Sequence, residues 1–263
     1  MILGAAMTSP GAAGQTSSPW VIDQYTKSRL FVGDYDRTRK ILHLGWQVTL
    51  KDGWKTYWRS PGDAGLPPRW NWQAQDNIRR ITVNWPLPEK LRIFDMDTYI
   101  YHDEVVLPIE VAVIDDTKPV SLSLDLEYMV CAEICVPLEG RYGLSVPALE
   151  NIRISLFQKA LLNRYAAQVP EKVPAENVRV IADPQQEKTL RVELPAPYHT
   201  VDRMIVEGPK GVLFREPRVA PAPGRKIFRV GYEAKKPLMG ETLTLTLATP
   251  SGKSYEMTVT VAP

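Results

Sequence analysis

Cysteine is scarce in this chain: 263 residues include two, Cys131 and Cys135. That count excludes a scaffold of several disulfides and a four-thiolate zinc site. Histidine is almost as rare, and His43, His102 and His199 are scattered, none of them within ten residues of the cysteines. A structural zinc completed by imidazoles is therefore disfavoured. No unbroken apolar run reaches about 18 residues, so nothing reads as a membrane-spanning helix. Excess charge of one sign is missing too: 32 basic and 30 acidic side chains leave +2, and no run of Lys or Arg offers a surface for nucleic acid.

What is present is a chain long enough for two domains, with 44% apolar residues to fill their cores. Residues 1–19 read as the remnant of an export signal or a disordered tail, being small, apolar and uncharged, without a basic start. Export would place the chain in an oxidising compartment, the periplasm, where a disulfide persists.

From about residue 26, short strand-like stretches follow one another: Ser28 to Val32, Ile41 to Leu50, Asn77 to Trp85, Val105 to Ile114 and Val120 to Val130. Strict alternation in the last puts Leu122, Leu124 and Leu126 on one face and leads straight into the cysteines. Turn chemistry separates the strands at Lys51-Asp-Gly, Ser60-Pro-Gly-Asp, Leu66-Pro-Pro and Trp85-Pro-Leu-Pro. Between Ser155 and Gln168 the spacing of Leu156, Leu161, Leu162 and Tyr165 becomes helical, with Ser155 and Gln158 as a capping box. Val169-Pro-Glu-Lys-Val-Pro then reads as a stiff linker. Seven further strands follow, the clearest being Thr242-Leu-Thr-Leu-Thr-Leu. The fold class is therefore all-β, two tandem immunoglobulin-like sandwiches joined by a short helix and a Pro-containing linker. The expected boundaries are 20–154 for the first sandwich, 155–174 for helix and linker, and 175–263 for the second.

Three chemistries remain open for Met129-Val-Cys-Ala-Glu-Ile-Cys. A staple closing so small a loop removes only about 2 kcal/mol of unfolded-state entropy, and a large sandwich has little need of it. A Cu(I) site could use both thiolates and Met129, since soft ligands suit that ion. Thiol-disulfide exchange requires two sulfurs that can bond each other and enough exposure for a partner's sulfur to arrive, and a turn at a strand end offers both. Glu133 lies between the cysteines, and no cation neighbours them in sequence. A carboxylate there raises the thiol pKa and favours an electron donor over a strong oxidant.

Three stretches resemble one family. Asp52-Gly-Trp-Lys-Thr-Tyr-Trp-Arg-Ser-Pro-Gly-Asp-Ala-Gly-Leu-Pro-Pro is similar to an aromatic-rich opening. Trp85-Pro-Leu-Pro with Phe94-Asp-Met-Asp-Thr-Tyr-Ile-Tyr and Val106-Leu-Pro is similar to a cap-loop region. Leu124 through Pro137 is similar to an active-site strand and turn. Together they resemble the amino-terminal periplasmic domain of the thiol:disulfide interchange protein DsbD and its relative ScsB, the suppressor of copper sensitivity protein. The resemblance implies a protein-disulfide reductase domain with a redox-active Cys131-Cys135 disulfide and no further cofactor. It implies electrons taken from a membrane-embedded module and passed to periplasmic thioredoxin-fold partners such as disulfide isomerases. Cys135 inherits the attacking role, Cys131 the resolving role, and Phe94 the place of the cap aromatic. Where DsbD has acids before that aromatic, this chain has Arg92 and Ile93, so proton transfer by those acids does not carry over.

Of the other conspicuous residues, Tyr99 and Tyr101 alternate in an extended segment, so that one of them can face the sulfurs. Trp54, Tyr57, Trp58, Trp70 and Trp72 read as core and rim aromatics whose ring nitrogens find partners, more than as a sugar platform. His102 beside Asp103 reads as a surface residue near the cap, and the basic cluster from Arg215 to Lys226 as a solvated loop.

Overall fold

The computed structural model describes residues 15–93, 95–220, 222 and 225–262. Its first part holds eleven strands: β1 (Val21–Ile22), β2 (Thr26–Asp36), β3 (Ile41–Leu50), β4 (Lys55–Gly62), β5 (Arg69–Asp76), β6 (Ile78–Val83), β7 (Glu89–Ile93), β8 (Met96–His102), β9 (Glu104–Val113), β10 (Val120–Cys131) and β11 (Cys135–Val146). One sheet runs β1-β2-β3-β9-β6, and the facing sheet runs β11-β10-β4-β8-β7, with β5 also paired to β10. The chain joins this sandwich ahead of the expected start at residue 20. Thr16 O accepts from Val32 N at 2.7 Å and Ser18 N donates to Leu30 O at 2.8 Å. Of the expected remnant or tail at residues 1–19, residues 1–14 lie outside the described residues.

Alternation along β10 explains how the sheets stack. Leu122, Leu124, Leu126, Tyr128 and Val130 point inward and are buried against Leu30, Leu44 and Trp46 of the other sheet. Two tyrosines fix the register between the layers. The Tyr128 hydroxyl lies 2.8 Å from Thr26 Oγ1, and that of Tyr142 lies 2.7 Å from Ser28 Oγ. Both polar tips thus find partners inside an apolar core, which only one relative placement of the sheets allows.

Helix α1 (Leu156–Ala166) has Ser155 at its N-cap, with the Gln158 amide 3.5 Å from the Ser155 hydroxyl. Its inward face is Gln158, Leu161, Leu162 and Tyr165. Leu156, expected on that face, is instead 84% exposed, because at 3.6 residues per turn it lies on the side of the helix opposite Gln158, Leu161, Leu162 and Tyr165. Leu162 lies directly over Gly33 of β2, where a Cβ would fall 2.3 Å from Leu162 Cδ2. A glycine is required at that crossing.

The second sandwich comprises β12 (Glu171–Lys172), β13 (Arg179–Ala182), β14 (Thr189–Leu194), β15 (Arg203–Glu207), β16 (Leu213–Phe214), β17 (Arg218–Ala220), β18 (Lys226–Glu233), β19 (Thr242–Ala248) and β20 (Ser254–Thr260). Sheet β12-β20-β19-β15 covers sheet β13-β14-β18, to which β16 and β17 add at β18. Val192, Phe228, Val230, Leu243, Leu245 and Leu247 fill the space between them.

Several expectations are corrected here. The linker is not merely a spacer, because Glu171–Lys172 pairs in parallel with β20. The basic cluster is not all loop, because Arg218–Ala220 pairs with β18. Ser60-Pro-Gly is the end of β4 instead of a turn, with a register irregularity between Tyr57 and Gly62 that accommodates a proline lacking a donor. Between the two sandwiches, the Arg59 guanidinium reaches Glu207 at 3.0 and 2.6 Å and Glu256 at 2.5 Å, and stacks 4.7 Å from the Trp58 ring.

Candidate active site

The two cysteines sit opposite each other at the end of the β10-β11 hairpin, where Cys131 pairs with Cys135 in the strand register. Their sulfurs are bonded as a disulfide. Ala132, Glu133 and Ile134 make the turn, closed by Ala132 N donating to Ile134 O at 3.0 Å. The alternation that buries Leu122 through Val130 sends Met129 and Cys131 to the outer face of the sheet. There Cys131 is nonetheless buried, 2% exposed, beneath Tyr57 of β4 and Ile100 of β8, with Leu91 and Met129 at its flanks. Cys135 is exposed, as are Glu133 and Ile134.

Tyr57 gives the buried sulfur a hydrogen-bond donor. Its hydroxyl donates to Cys131 Sγ at 3.0 Å from a side chain that is itself buried. Burial raises the phenol pKa, so it stays a proton donor. Gly65 holds the ring in place: at φ +93° it passes so close that a Cβ would fall 2.2 Å from Tyr57 Cε1. In the sequence alone Tyr57 belongs only to the aromatic cluster. Period-2 alternation does separate it from Thr56 and Trp58, but its partner is 74 residues away.

The tyrosines expected near the sulfurs lie elsewhere. Tyr101 faces the main core and donates to Pro86 O at 2.6 Å, and burial raises its pKa. Tyr99 packs against the same core, edge-on to Trp58 at 5.9 Å. Between them Ile100 has the opposite facing and meets Cys131, which is the alternation of β8 read correctly. Phe94 lies outside the described residues. Arg92 pairs with Asp95 at 3.2 Å and Glu216 at 3.5 Å.

The charge reading also changes. Lys55 of β4 is the direct cross-strand partner of Cys131, and its ammonium lies 3.4 Å from Ala132 O. A cation absent from the local sequence thus pairs across from Cys131 and reaches the turn between the cysteines. One strand further, His102 pairs with Lys55. His102 is held between Asp103 and Glu89, each 2.8 Å away, and the hydrogen bond to Asp103 raises its pKa above the ordinary imidazole value. Met129 borders Cys131, but among the described residues no group of three His, Cys, Asp or Glu is arranged to hold a metal ion.

The aromatic cluster is core and rim. Trp58 is buried, Trp70 stacks on Trp72 at 6.1 Å and meets Trp46 edge-on at 5.8 Å, and Trp54 lies against Tyr25. Contrary to expectation, Nε1 of Trp58 and Trp70 finds no hydrogen-bond partner among the described residues.

A buried sulfur bonded to an exposed one at a hairpin end, on an immunoglobulin-like sandwich, defines a class of thiol-disulfide exchange domain. Residues 27–147 match the family described as thiol:disulfide interchange protein DsbD, N-terminal, so the resemblance carried by the sequence motifs is borne out over the first sandwich. The fold of the whole chain is similar to the crystal structure of the N-terminal periplasmic domain of ScsB from Proteus mirabilis. That match has TM-score 0.73 and 21% identity, and covers 95% of this chain and 99% of that one. The reduced DsbD N-terminal domain from Neisseria meningitidis matches at TM-score 0.31 and 17% identity, over 46% of this chain and 85% of that one. No curated protein matches the sequence. No helix of the described residues is long and apolar enough to cross a membrane.

Proposed function

We propose that the chain is a periplasmic protein-disulfide reductase domain that relays electrons from a membrane-embedded donor to thioredoxin-fold partners. The observation that carries this reading is the asymmetry of the pair: Cys135 is open to a partner's sulfur, while Cys131 is buried behind it. In the reduced protein the Cys135 thiolate attacks the partner's disulfide. A mixed disulfide forms, and the partner's other sulfur leaves as a thiolate. Cys131 then attacks Cys135 Sγ, the partner departs as a dithiol, and the Cys131-Cys135 bond re-forms. Two electrons and two protons have passed to the partner, and the donor module restores the dithiol.

The test is trapping. Cys131→Ala should accumulate a mixed disulfide with a thioredoxin-fold protein under non-reducing conditions, because the resolving thiol is gone. Cys135→Ala should not. Trapping by Cys135→Ala alone would reverse the roles, and trapping by neither would reject the relay. A Cu(I) module using Cys131, Cys135 and Met129 predicts instead tight stoichiometric Cu(I) binding by the reduced protein against a competing chelator.

A further inference from the structure

Outward-facing pairs along the β10-β11 hairpin follow in order from the cysteines. Cys131 pairs with Cys135, Met129 with Pro137, Glu127 with Glu139, and Asp125 with Arg141. The second pair floors an open groove of about 420 Å³, walled by Leu66, which is 52% exposed. The third pair forms its rim and is anomalous. Carboxylates directly opposite each other on one sheet face repel. Arg69 lies 3.7 Å from Glu127, but among the described residues no cation lies within 4.0 Å of Glu139. The neighbouring Asp125 and Arg141 are of opposite charge, at 3.8 Å. An apolar floor thus borders the exposed sulfur, and beyond it stands an acidic pair only half compensated.

We propose that this groove seats the extended segment flanking the partner's reactive cysteine, with an apolar side chain over Met129 and Pro137 and a basic one against Glu127 and Glu139. The inference rests on the exchange reading above. Strand rise fixes the spacing. Pro137 and Glu139 are two and four residues from Cys135, so they lie about 7 and 14 Å along the strand. The apolar side chain therefore belongs two residues from the partner's cysteine and the basic one four residues from it. A cation there relieves the Glu127-Glu139 repulsion, which selects against acidic segments at the same position.

The probe is a set of short peptides, each with one cysteine held as a mixed disulfide with the same small reporter thiol, offered to the reduced full chain. The attacking Cys135 releases the reporter thiolate, and its release gives the rate. A peptide with Leu and Arg at those two positions should react about tenfold faster than one with Ser in place of Leu. It should react two- to fivefold faster than one with Glu in place of Arg. Glu139→Lys should reverse the charge preference, and Leu66→Ser should shrink the Leu preference. Equal rates across the peptides, or preferences unmoved by both variants, would overturn the groove assignment while leaving exchange intact. Reaction with no peptide at all would overturn the exchange reading, and the groove assignment with it.

Discussion

Removing the Tyr57 hydroxyl should lower the reduction potential of the cysteine pair at high pH and leave it nearly unchanged at low pH. The hydroxyl donates to Cys131 Sγ at 3.0 Å in a buried setting. A hydrogen bond to an uncharged sulfur is weak, whereas one to a buried charged acceptor is worth about 1.5–3 kcal/mol, and a soft thiolate belongs near the bottom of that range. Tyr57→Phe therefore removes about 1–1.5 kcal/mol from the thiolate and much less from the thiol or the disulfide. The Cys131 thiol pKa should rise by roughly one unit. Above that pKa the reduced protein is less stable by the same amount, and the potential becomes more negative by about 20–30 mV. Below it both redox states carry neutral sulfur, so the offset closes. The phenol itself does not confuse the titration, since burial raises its pKa. Equilibration with dithiothreitol buffers between pH 6 and pH 9.5, scored by alkylation and mass, measures the offset, with thermal unfolding as a control for intact packing. An offset of the same size at both ends of the range, or one of opposite sign, would refute the argument.

The clasp between sandwiches predicts that Arg59→Met lowers stability by about 2 kcal/mol. It strands two mostly buried carboxylates, at the low side of buried-pair losses because the guanidinium is 26% exposed; a denaturant midpoint equal to the parent's would exclude it. His102, whose pKa is raised by its hydrogen bond to Asp103 and by Glu89, contributes stability that is fully present below the unfolded imidazole pKa and lost as pH rises through the folded one. An NMR titration should place the folded value above about 6.5, and Asp103→Asn should bring it down. Gly33→Ala should destabilise by about 1–3 kcal/mol through collision with Leu162, and Leu162→Ala in the same chain should relieve the part of it made by Cδ2 at 2.3 Å while the Cβ contact at 2.8 Å remains, so that the two losses are less than additive. Additive losses in the double variant would show that the helix does not dock where described.

The sequence makes the strands legible where one face is buried and the other wet. Ser121 to Glu127 and Thr242 to Leu247 alternate strictly, and both are strands whose leucines are buried. It is much less informative where a strand is short, lies at an edge, or contains proline. The end of Lys55–Gly62, Ser60-Pro-Gly, carries turn chemistry in the sequence, and Arg218–Ala220 sits among prolines. The site divides in the same way. Both cysteines and Met129 are local in sequence and read as one unit. Lys55, Tyr57 and Ile100 reach Cys131 only through pairing between strands more than thirty residues apart, which no local pattern specifies. Extending the β10 alternation by one residue would have placed Cys131 on the outer face. The same step on β8 would have chosen Ile100 over its two tyrosine neighbours.

The different fates of the two sulfurs follow from where their strands lie in the sheet. β10 has neighbours on both sides, β11 on one and β4 with β5 on the other, so a side chain on its outer face can be roofed from β4. Tyr57 does this to Cys131. β11 is the edge of the same sheet, and among the described residues no strand of the sheet on its far side supplies a roof for Cys135. A five-residue hairpin segment thus holds one sulfur in a buried, hydrogen-bonded place and presents the other to solvent, although the two are chemically alike. On the proposed exchange, the sulfur at the edge, Cys135, is the one that meets an incoming partner's disulfide. The resolving step proposed for Cys131 would come from within, where Tyr57 donates to its sulfur and Lys55 is its cross-strand partner. Exchanging the strands that carry the two cysteines would exchange their exposure, so the proposed division of labour rests on the topology more than on either cysteine's neighbours in sequence.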